Sequence, residues 1–229
     1  MNIQNVYIKN GIVHVVIAPE TADVAADPSQ REVLRMSVEN WRRFAKKYLS
    51  APDTEDTADL EDIANVSVGH GISEAEYDEL RRLSERTEAV LTAARMLSCG
   101  DYSERELCTR LKRSYSAEAS VAAVSLLHRR GYLNEEEQCR RYAERAVRTK
   151  HHGALRIRAE LLARGYEATA VTVGVDSVPA EEYERALAYW VERKLRSAGE
   201  LDAPTLKKVI ASLMRLGFSR SMILQAIGG

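Results

Sequence analysis

Apolar residues recur at helical spacing along the second half of this chain, and the clearest window runs from Gly153 to Tyr166. Ile157 and Leu161 are four apart and Ala154 lies three before Ile157, so one helical face is apolar. Gly165 follows, where a helix needs a left-handed residue to stop, and the aromatic Tyr166 comes next. The pattern returns downstream in Val209, Leu213, Gly217 and Phe218, with Gly217 placed 52 residues after Gly165. Upstream, Leu107 and Leu111 have the same spacing, and Ser114-Tyr115 stands in the place of Gly-aromatic. Three copies predict tandem helical units.

The remaining helices follow from capping residues and apolar stripes. Val90, Leu91, Ala94 and Leu97 predict a face that Gly100 ends. Ser103 with Glu106, and Asn134 with Glu137, have capping-box spacing, and Ser116 is placed to cap a helix holding Val121, Val124 and Leu127. Tyr142, Ala143, Ala146 and Val147 are expected to face inward. A weaker helix spans Thr169 to Val175, because Thr172, Val173 and Gly174 are poor helix formers. Pro179 suits the first turn of a helix with the stripe Tyr183, Leu187 and Trp190. Asp202 and Pro204 open the next helix, and Ser219 caps the last, with Ile223 and Ile227 inward. The expectation is a helical region over 73–229 made of three three-helix units, about 84–133, 134–178 and 179–229. One such unit buries too little surface to stand alone, so neighbours must stack, here into a curved, right-handed-type array.

The first 49 residues have a different period. Ile3 to Lys9 and Ile12 to Ala18 are β-branched runs around Asn10-Gly11, a strong hairpin signal. Val33 to Met36 predicts a third strand. Ser37 is placed to cap a helix from Val38 to about Tyr48 that buries Trp41, Phe44, Ala45 and Tyr48. Residues 1–49 therefore read as a small β-rich domain with one helix. Residues 50–72 read as a solvated acidic linker. Ser73 with Glu76 then starts a helix carrying Tyr77, Leu80 and Leu83.

Charge sharpens this division. Residues 1–100 hold 11 basic and 17 acidic side chains, whereas residues 101–229 hold 22 and 17. The helical region is mildly basic, short of what strong autonomous nucleic-acid binding requires. No apolar run approaches the roughly 18 residues of a membrane span. The start Met1-Asn2-Ile3-Gln4 lacks the basic and apolar regions of a secretion signal, so a cytoplasmic location is expected. Cys99, Cys108 and Cys139 form no Cys-x-x-Cys pair and are expected to be reduced and structural.

The candidate chemistry lies in cations. Arg140, Arg141, Arg145, Arg148 and Lys150 share one helix, and Arg156, Arg158 and Arg164 follow. With Tyr142, Ala146 and Val147 inward, the basic side chains are turned outward. Such a face can be simply solvated, or it can receive a polyanion or an acidic protein groove. Lys112, Arg113, Arg129 and Arg130 are a second basic group. His151-His152 are adjacent and point apart, with no third ligand at helical spacing, so no metal is expected. Ser98-Cys99 and His128 come with no base or oxyanion hole in the pattern, and no phosphate loop is visible, so neither catalysis nor a cofactor is expected.

The run Gly131-Tyr132-Leu133-Asn134, Tyr142-Ala143, Gly153-Ala154-Leu155-Arg156-Ile157-Arg158-Ala159-Glu160-Leu161 and Arg164-Gly165-Tyr166 resembles the RecX family. Gly153, Ile157, Glu160, Leu161 and Gly165 match the family's central motif, and Ser103, Glu106, Leu107 and Leu111 match its upstream motif. Ala154 replaces the usual Pro, and His151-His152 replaces a Gly-Tyr pair. The resemblance covers about residues 84–229, and the layout of 1–49 is similar to the N-terminal domain of longer members. It implies a monomeric, non-enzymatic regulator of RecA in DNA repair, homologous recombination and the SOS response. Its partners would be RecA protein and the RecA–single-stranded DNA filament, with weak nucleic-acid contact also open. Binding lengthwise in the filament groove would restrain recombinase, ATPase and coprotease activities. The rival reading is a helix-turn-helix DNA-binding protein. Against it, the helix 153–164 has Arg but no Asn or Gln to read base edges.

Overall fold

A computed structural model of the protein describes residues 1–19, 31–49, 67–198 and 202–228. The fold is mostly helical, with ten α-helices among the described residues and a three-stranded antiparallel sheet near the N-terminus. It divides into two compact units, Met1–Cys99 with Cys108–Leu127, and Gly100–Leu107 with His128–Gly229.

In the first unit, β1 (Asn2–Lys9) and β2 (Ile12–Ala18) form the expected hairpin. Its turn residues Asn10 and Gly11 have φ of 53° and 74°, a region that few other residue types tolerate. β3 (Glu32–Ser37) pairs with β2. The alternation of the strands, reset in β1 by a register shift between Ile3 and Asn5, turns Ile3, Val6, Val13, Val15, Ile17, Leu34 and Met36 to one side. There they pack with Trp41, Phe44 and Ala45 of α1 (Val38–Tyr48), whose cap is the Ser37 hydroxyl accepting from the Asn40 amide at 3.2 Å. α2 (Glu74–Cys99) is one continuous 26-residue helix. The Ser73 hydroxyl accepts from the Glu76 amide at 3.3 Å while the Glu76 carboxylate accepts from the Ser73 amide at 2.7 Å, a closed capping box. Leu80 and Leu83 join the sheet's core, and the Arg35 amide of β3 donates to the Ser84 hydroxyl at 2.9 Å. That bond gives one outward-pointing donor of the β3 edge a partner.

Two expected faces shift. On α2, Ala89 and Ala93 are buried while Val90 and Leu91 are half-buried and Ala94 is exposed. Apolar residues surround that stretch on several sides, so spacing alone does not select the buried face. On α4 (Ala117–Arg129), Val121 is exposed, and Ala119, Ala123, Val124 and Leu127 are buried. The acidic stretch 50–66 lies outside the described residues. The end of the expected linker pairs with β1: the Gly69 amide donates to the Ile3 carbonyl at 2.8 Å and the Ile3 amide to the His70 carbonyl at 3.0 Å.

The second unit holds α5 (Glu135–Lys150), α6 (Ala154–Ala163), α7 (Ala168–Asp176), α8 (Ala180–Ala198), α9 (Ala203–Arg215) and α10 (Arg220–Gly228). α3 (Glu104–Leu111) is capped by the Ser103 hydroxyl, which accepts from the Glu106 amide at 3.1 Å. Leu107, Leu111, Ile157, Leu161, Val209 and Leu213 are all buried. The aromatic after each of these helices bonds back to the second apolar residue, over five residues in the last two and over four in the first, which lacks the glycine. The amides of Tyr115, Tyr166 and Phe218 donate to the carbonyls of Leu111, Leu161 and Leu213 at 3.0, 3.3 and 3.4 Å.

Close backbone approach holds this unit together. The Gly153 and Leu155 amides at the start of α6 donate to the carbonyls of Leu216 and Gly217 at 2.8 and 3.1 Å. The end of α9 thus supplies partners for orphan donors of α6. A Cβ on Gly153 would lie 2.3 Å from the Gly217 backbone, so the position demands glycine.

Candidate functional site

The eight candidate cations lie on α5, α6 and the C-cap of α6. α5 is set by the Asn134 side chain, which accepts from the Glu137 amide at 3.0 Å, and by three glutamates in its first turn, where they complement the helix dipole. Cys139, Ala143, Ala146 and Val147 face the core.

Half of the cations are held by carboxylates of this chain. Arg140 bonds both oxygens of Glu137, at 2.6 and 2.8 Å, and Glu144 at 2.6 Å. These bonds raise the Arg140 pKa and lower that of Glu137. Arg141 meets Asp101 at 2.9 Å, Arg156 meets Glu160 at 2.9 Å, and Arg158 pairs with Asp176. Arg148 is exposed and 3.8 Å from Glu182, a loose contact.

The other three converge. The Arg145 guanidinium lies 5.8 Å from the centroid of the Tyr142 ring, the Lys150 ammonium 5.8 Å and the Arg164 guanidinium 5.3 Å. Each is within cation–π reach. All three are exposed, and among the described residues none has a carboxylate at ion-pair distance. Arg164 also lies 5.8 Å from the Tyr166 ring.

Tyr142 is half-buried: it packs against the core, as its spacing suggested, and leaves part of its side chain at the surface. Its hydroxyl needs a partner and donates to Glu160 at 2.7 Å. Burial, followed by that bond, pushes the Tyr142 hydroxyl up. Burial would also raise the Glu160 carboxyl, but the bonds from Tyr142 and Arg156 outweigh it and hold the group below its ordinary range. Glu160 therefore stays ionised and fixes the ring. Sequence reasoning missed Tyr142 as part of the surface. The available signal was Arg145 three residues on, at a spacing that brings side chains together.

His151 and His152 take different roles. His151 caps α5 in the left-handed conformation, φ 51°. His152 is 8% exposed, with Nδ1 3.6 Å from Glu160, too long for a hydrogen bond. Burial, then the neighbouring Arg156, lowers its pKa, so it is neutral. Among the described residues no group of three His, Cys, Asp or Glu side chains converges as metal ligands. Burial also pushes the Cys139 thiol up to about 12, which keeps it protonated and unreactive.

These features define a mostly helical protein whose candidate site is an aromatic-centred cationic surface. No family model matches the chain. Comparison with curated proteins finds a "Regulatory protein RecX" of Streptomyces coelicolor, 31% identical over 139 residues, covering 58% of this chain and 72% of that one. One from Stenotrophomonas maltophilia is 31% identical over 150 residues, covering 64% of this chain and 88% of the relative. Among solved structures, a "regulatory protein RecX" matches 100% of this chain and 99% of its own with a TM-score of 0.70 at 12% identity. RecX from Lactobacillus salivarius matches 63% of this chain and 95% of its own with a TM-score of 0.59 at 16% identity. The chain belongs to the RecX family of regulatory proteins.

Proposed function

We propose that this chain regulates RecA by binding the RecA filament through the Tyr142-centred surface, as a cytoplasmic, non-enzymatic inhibitor of recombinase, ATPase and coprotease activities. The observation that carries the reading is the contrast within one basic region. Arg140, Arg141, Arg156 and Arg158 have carboxylate partners in the chain, whereas Arg145, Lys150 and Arg164 have none among the described residues. Like charges held together on one ring repel, and an acidic partner surface relieves that repulsion. Family membership supports a regulatory role. The base-reading alternative is weaker, because the exposed residues of α6 include Leu155, Ala159 and Leu162, which offer no donors to base edges.

The test is ATP hydrolysis by the cognate RecA on single-stranded DNA, titrated with this protein. The wild type is expected to inhibit. A variant carrying Arg145→Glu, Lys150→Glu and Arg164→Glu is expected to keep its circular dichroism and melting temperature and to lose inhibition. A folded variant that inhibits at the original concentration places the contact elsewhere.

A further inference from the structure

The two oxygens of Glu160 serve different neighbours. Oε2 accepts from the Tyr142 hydroxyl at 2.7 Å and so holds the ring around which Arg145, Lys150 and Arg164 gather. Oε1 has two cationic or protonatable groups beside it. Arg156 Nε donates to it at 2.9 Å, and His152 Nδ1 faces it at 3.6 Å, out of hydrogen-bond reach. Among the described residues that nitrogen has no hydrogen-bond partner, although the His152 side chain is buried. A buried polar nitrogen left unpaired is costly, and the acceptor it lacks already stands next to it.

Protonation decides which neighbour Oε1 takes. The His152 amide donates to the Ala146 carbonyl at 3.4 Å, so the residue sits at the C-terminus of α5, where the helix carbonyls favour an imidazolium. The charged groups acting on its ring are Lys150 of α5 and Arg156 and Glu160 of α6. Its neighbour His151 turns its ring to Tyr189. Leu216 and Gly217, which bond the start of α6 from the end of α9, carry no charge. A neutral imidazole cannot displace a guanidinium. A charged one can, because it is buried, whereas the Arg156 side chain is 41% exposed and can turn to water. Two cations on one oxygen repel, and the more exposed one leaves. We infer that His152 is an acid-operated switch of the Tyr142 surface: proton uptake on its ring transfers Glu160 Oε1 from Arg156 to His152, and the released guanidinium joins Arg145, Lys150 and Arg164 as a free cation. Oε2 keeps the Tyr142 hydroxyl throughout, so the ring stays in place while the charge around it rises by one. The window is open because Glu160 titrates below its ordinary 4.5 and is still ionised when His152, below its own ordinary 6.5, takes up its proton. The consequence for binding rests on the reading of this surface as the site for an acidic partner, whereas the exchange of bonds does not.

The experiment uses the full chain without RecA. NMR follows the His152 ring and the Arg156 Nε–H from about pH 7.5 to about pH 4.5. His152 should titrate below 6.5, and the Arg156 signal should broaden by exchange with water over the same range. Calorimetry at the two ends measures binding of dextran sulfate, a polyanion whose charge is constant in this range. Wild-type affinity should rise with acid. About threefold of that rise, the yield of one exposed ion pair, should be missing from both His152→Gln and Arg156→Gln. His14, His70, His128 and His151 titrate in all three proteins and cancel in the comparison. In Arg156→Gln, His152 should still titrate, and at a higher pH than in the wild type, because a cation that lowers its pKa is gone. That result separates a lost switch from a lost fold, and with the wild-type NMR it decides the matter even where His152→Gln does not fold. An Arg156 signal indifferent to the titration of His152, or a His152 ring that stays neutral until Glu160 titrates, overturns the inference. So does an acid-dependent rise that is absent from the wild type or kept in full by Arg156→Gln. Failure to inhibit RecA with these results intact counts against the filament-binding reading alone.

Discussion

Gly174 allows a test in which two physical arguments predict opposite signs. It lies inside α7, where intrinsic propensity favours alanine over glycine by about 1 kcal/mol. On that argument Gly174→Ala stabilises the protein. The structure reverses this. A Cβ at position 174 would lie 2.5 Å from the Cys139 Cβ, 2.8 Å from the Arg140 amide nitrogen and 2.9 Å from the Cys139 carbonyl carbon. Two of those atoms are backbone of α5 and cannot rotate away, so the helices must separate. Overpacking typically costs about 1–3 kcal/mol. Parting the two helices also removes contacts made by Val171, Val175, Cys139 and Ala143, which share the core.

The backbone clash sits at the upper end of that range, and the propensity gain offsets part of it. A net loss of about 2 kcal/mol follows, a fall in melting temperature of about 4–8 °C for a chain of this size. Urea denaturation followed by circular dichroism measures it. Cys139→Ala provides the control, because it keeps the Cβ that causes the clash, so the double variant should recover nothing. A neutral or stabilised Gly174→Ala, or rescue by Cys139→Ala, refutes the close crossing of α5 and α7.

Leu161→Ala should destabilise by about 2–5 kcal/mol in the same assay, since Leu161 is fully buried in the second unit's core. Acid should act in two windows. His152 has a lowered pKa in the folded state, so below its ordinary 6.5 the unfolded chain takes up a proton that the folded chain refuses. Stability therefore falls as pH drops from 6.5 towards the folded value, and His152→Leu should flatten a melting-temperature profile taken between about pH 7 and 5. Glu160 has a lowered pKa, so its contribution is present above its ordinary 4.5 and is lost only as pH falls through its lower folded value. A variant lacking His152 that keeps the full slope above pH 4.5 refutes the first assignment.

Local chemistry was legible in the sequence because its partners are local. The Asn10-Gly11 turn and the caps at Ser37, Ser73, Ser103, Ser116, Asn134, Asp202 and Ser219 each depend on atoms within three or four residues. The apolar pairs from Leu107 to Leu213 could be read for the same reason. The surface could not. The pairs of Arg140 and Arg156 lie at helical spacing, but the closest partners of Arg141 and Arg158 are Asp101 and Asp176, 40 and 18 residues away. Tyr142 does pack against the core as a period of 3.6 predicts, but that period ignores its hydroxyl, which reaches Glu160 at the surface. His151 meets Trp190 across 39 residues, and nothing at either position signals the other. Gly174 read as a weak helix former because propensity measures the isolated helix, whereas its value lies in what packs against it.

The backbone contacts that set the second unit also explain why its charges can stay unneutralised. Glu135 accepts from the Glu104 amide at 2.7 Å and from the Glu167 amide at 2.9 Å, so one carboxylate serves the starts of α3 and α7. The Gly153 and Gly217 crossing serves the start of α6. Helix ends are thus satisfied by each other and by an acid, and the arginines are not needed as staples. Those used in that way, such as Arg140 and Arg158, have their partners close by. Arg145, Lys150 and Arg164 contribute no ion pair to the described fold, yet they stand around one ring where their mutual repulsion works against folding. Reducing that repulsion should leave the melting temperature equal or higher. An unchanged or higher melting temperature in the variant lacking those charges would support the proposed binding role, and the bond to Glu160 holds the Tyr142 ring in one orientation.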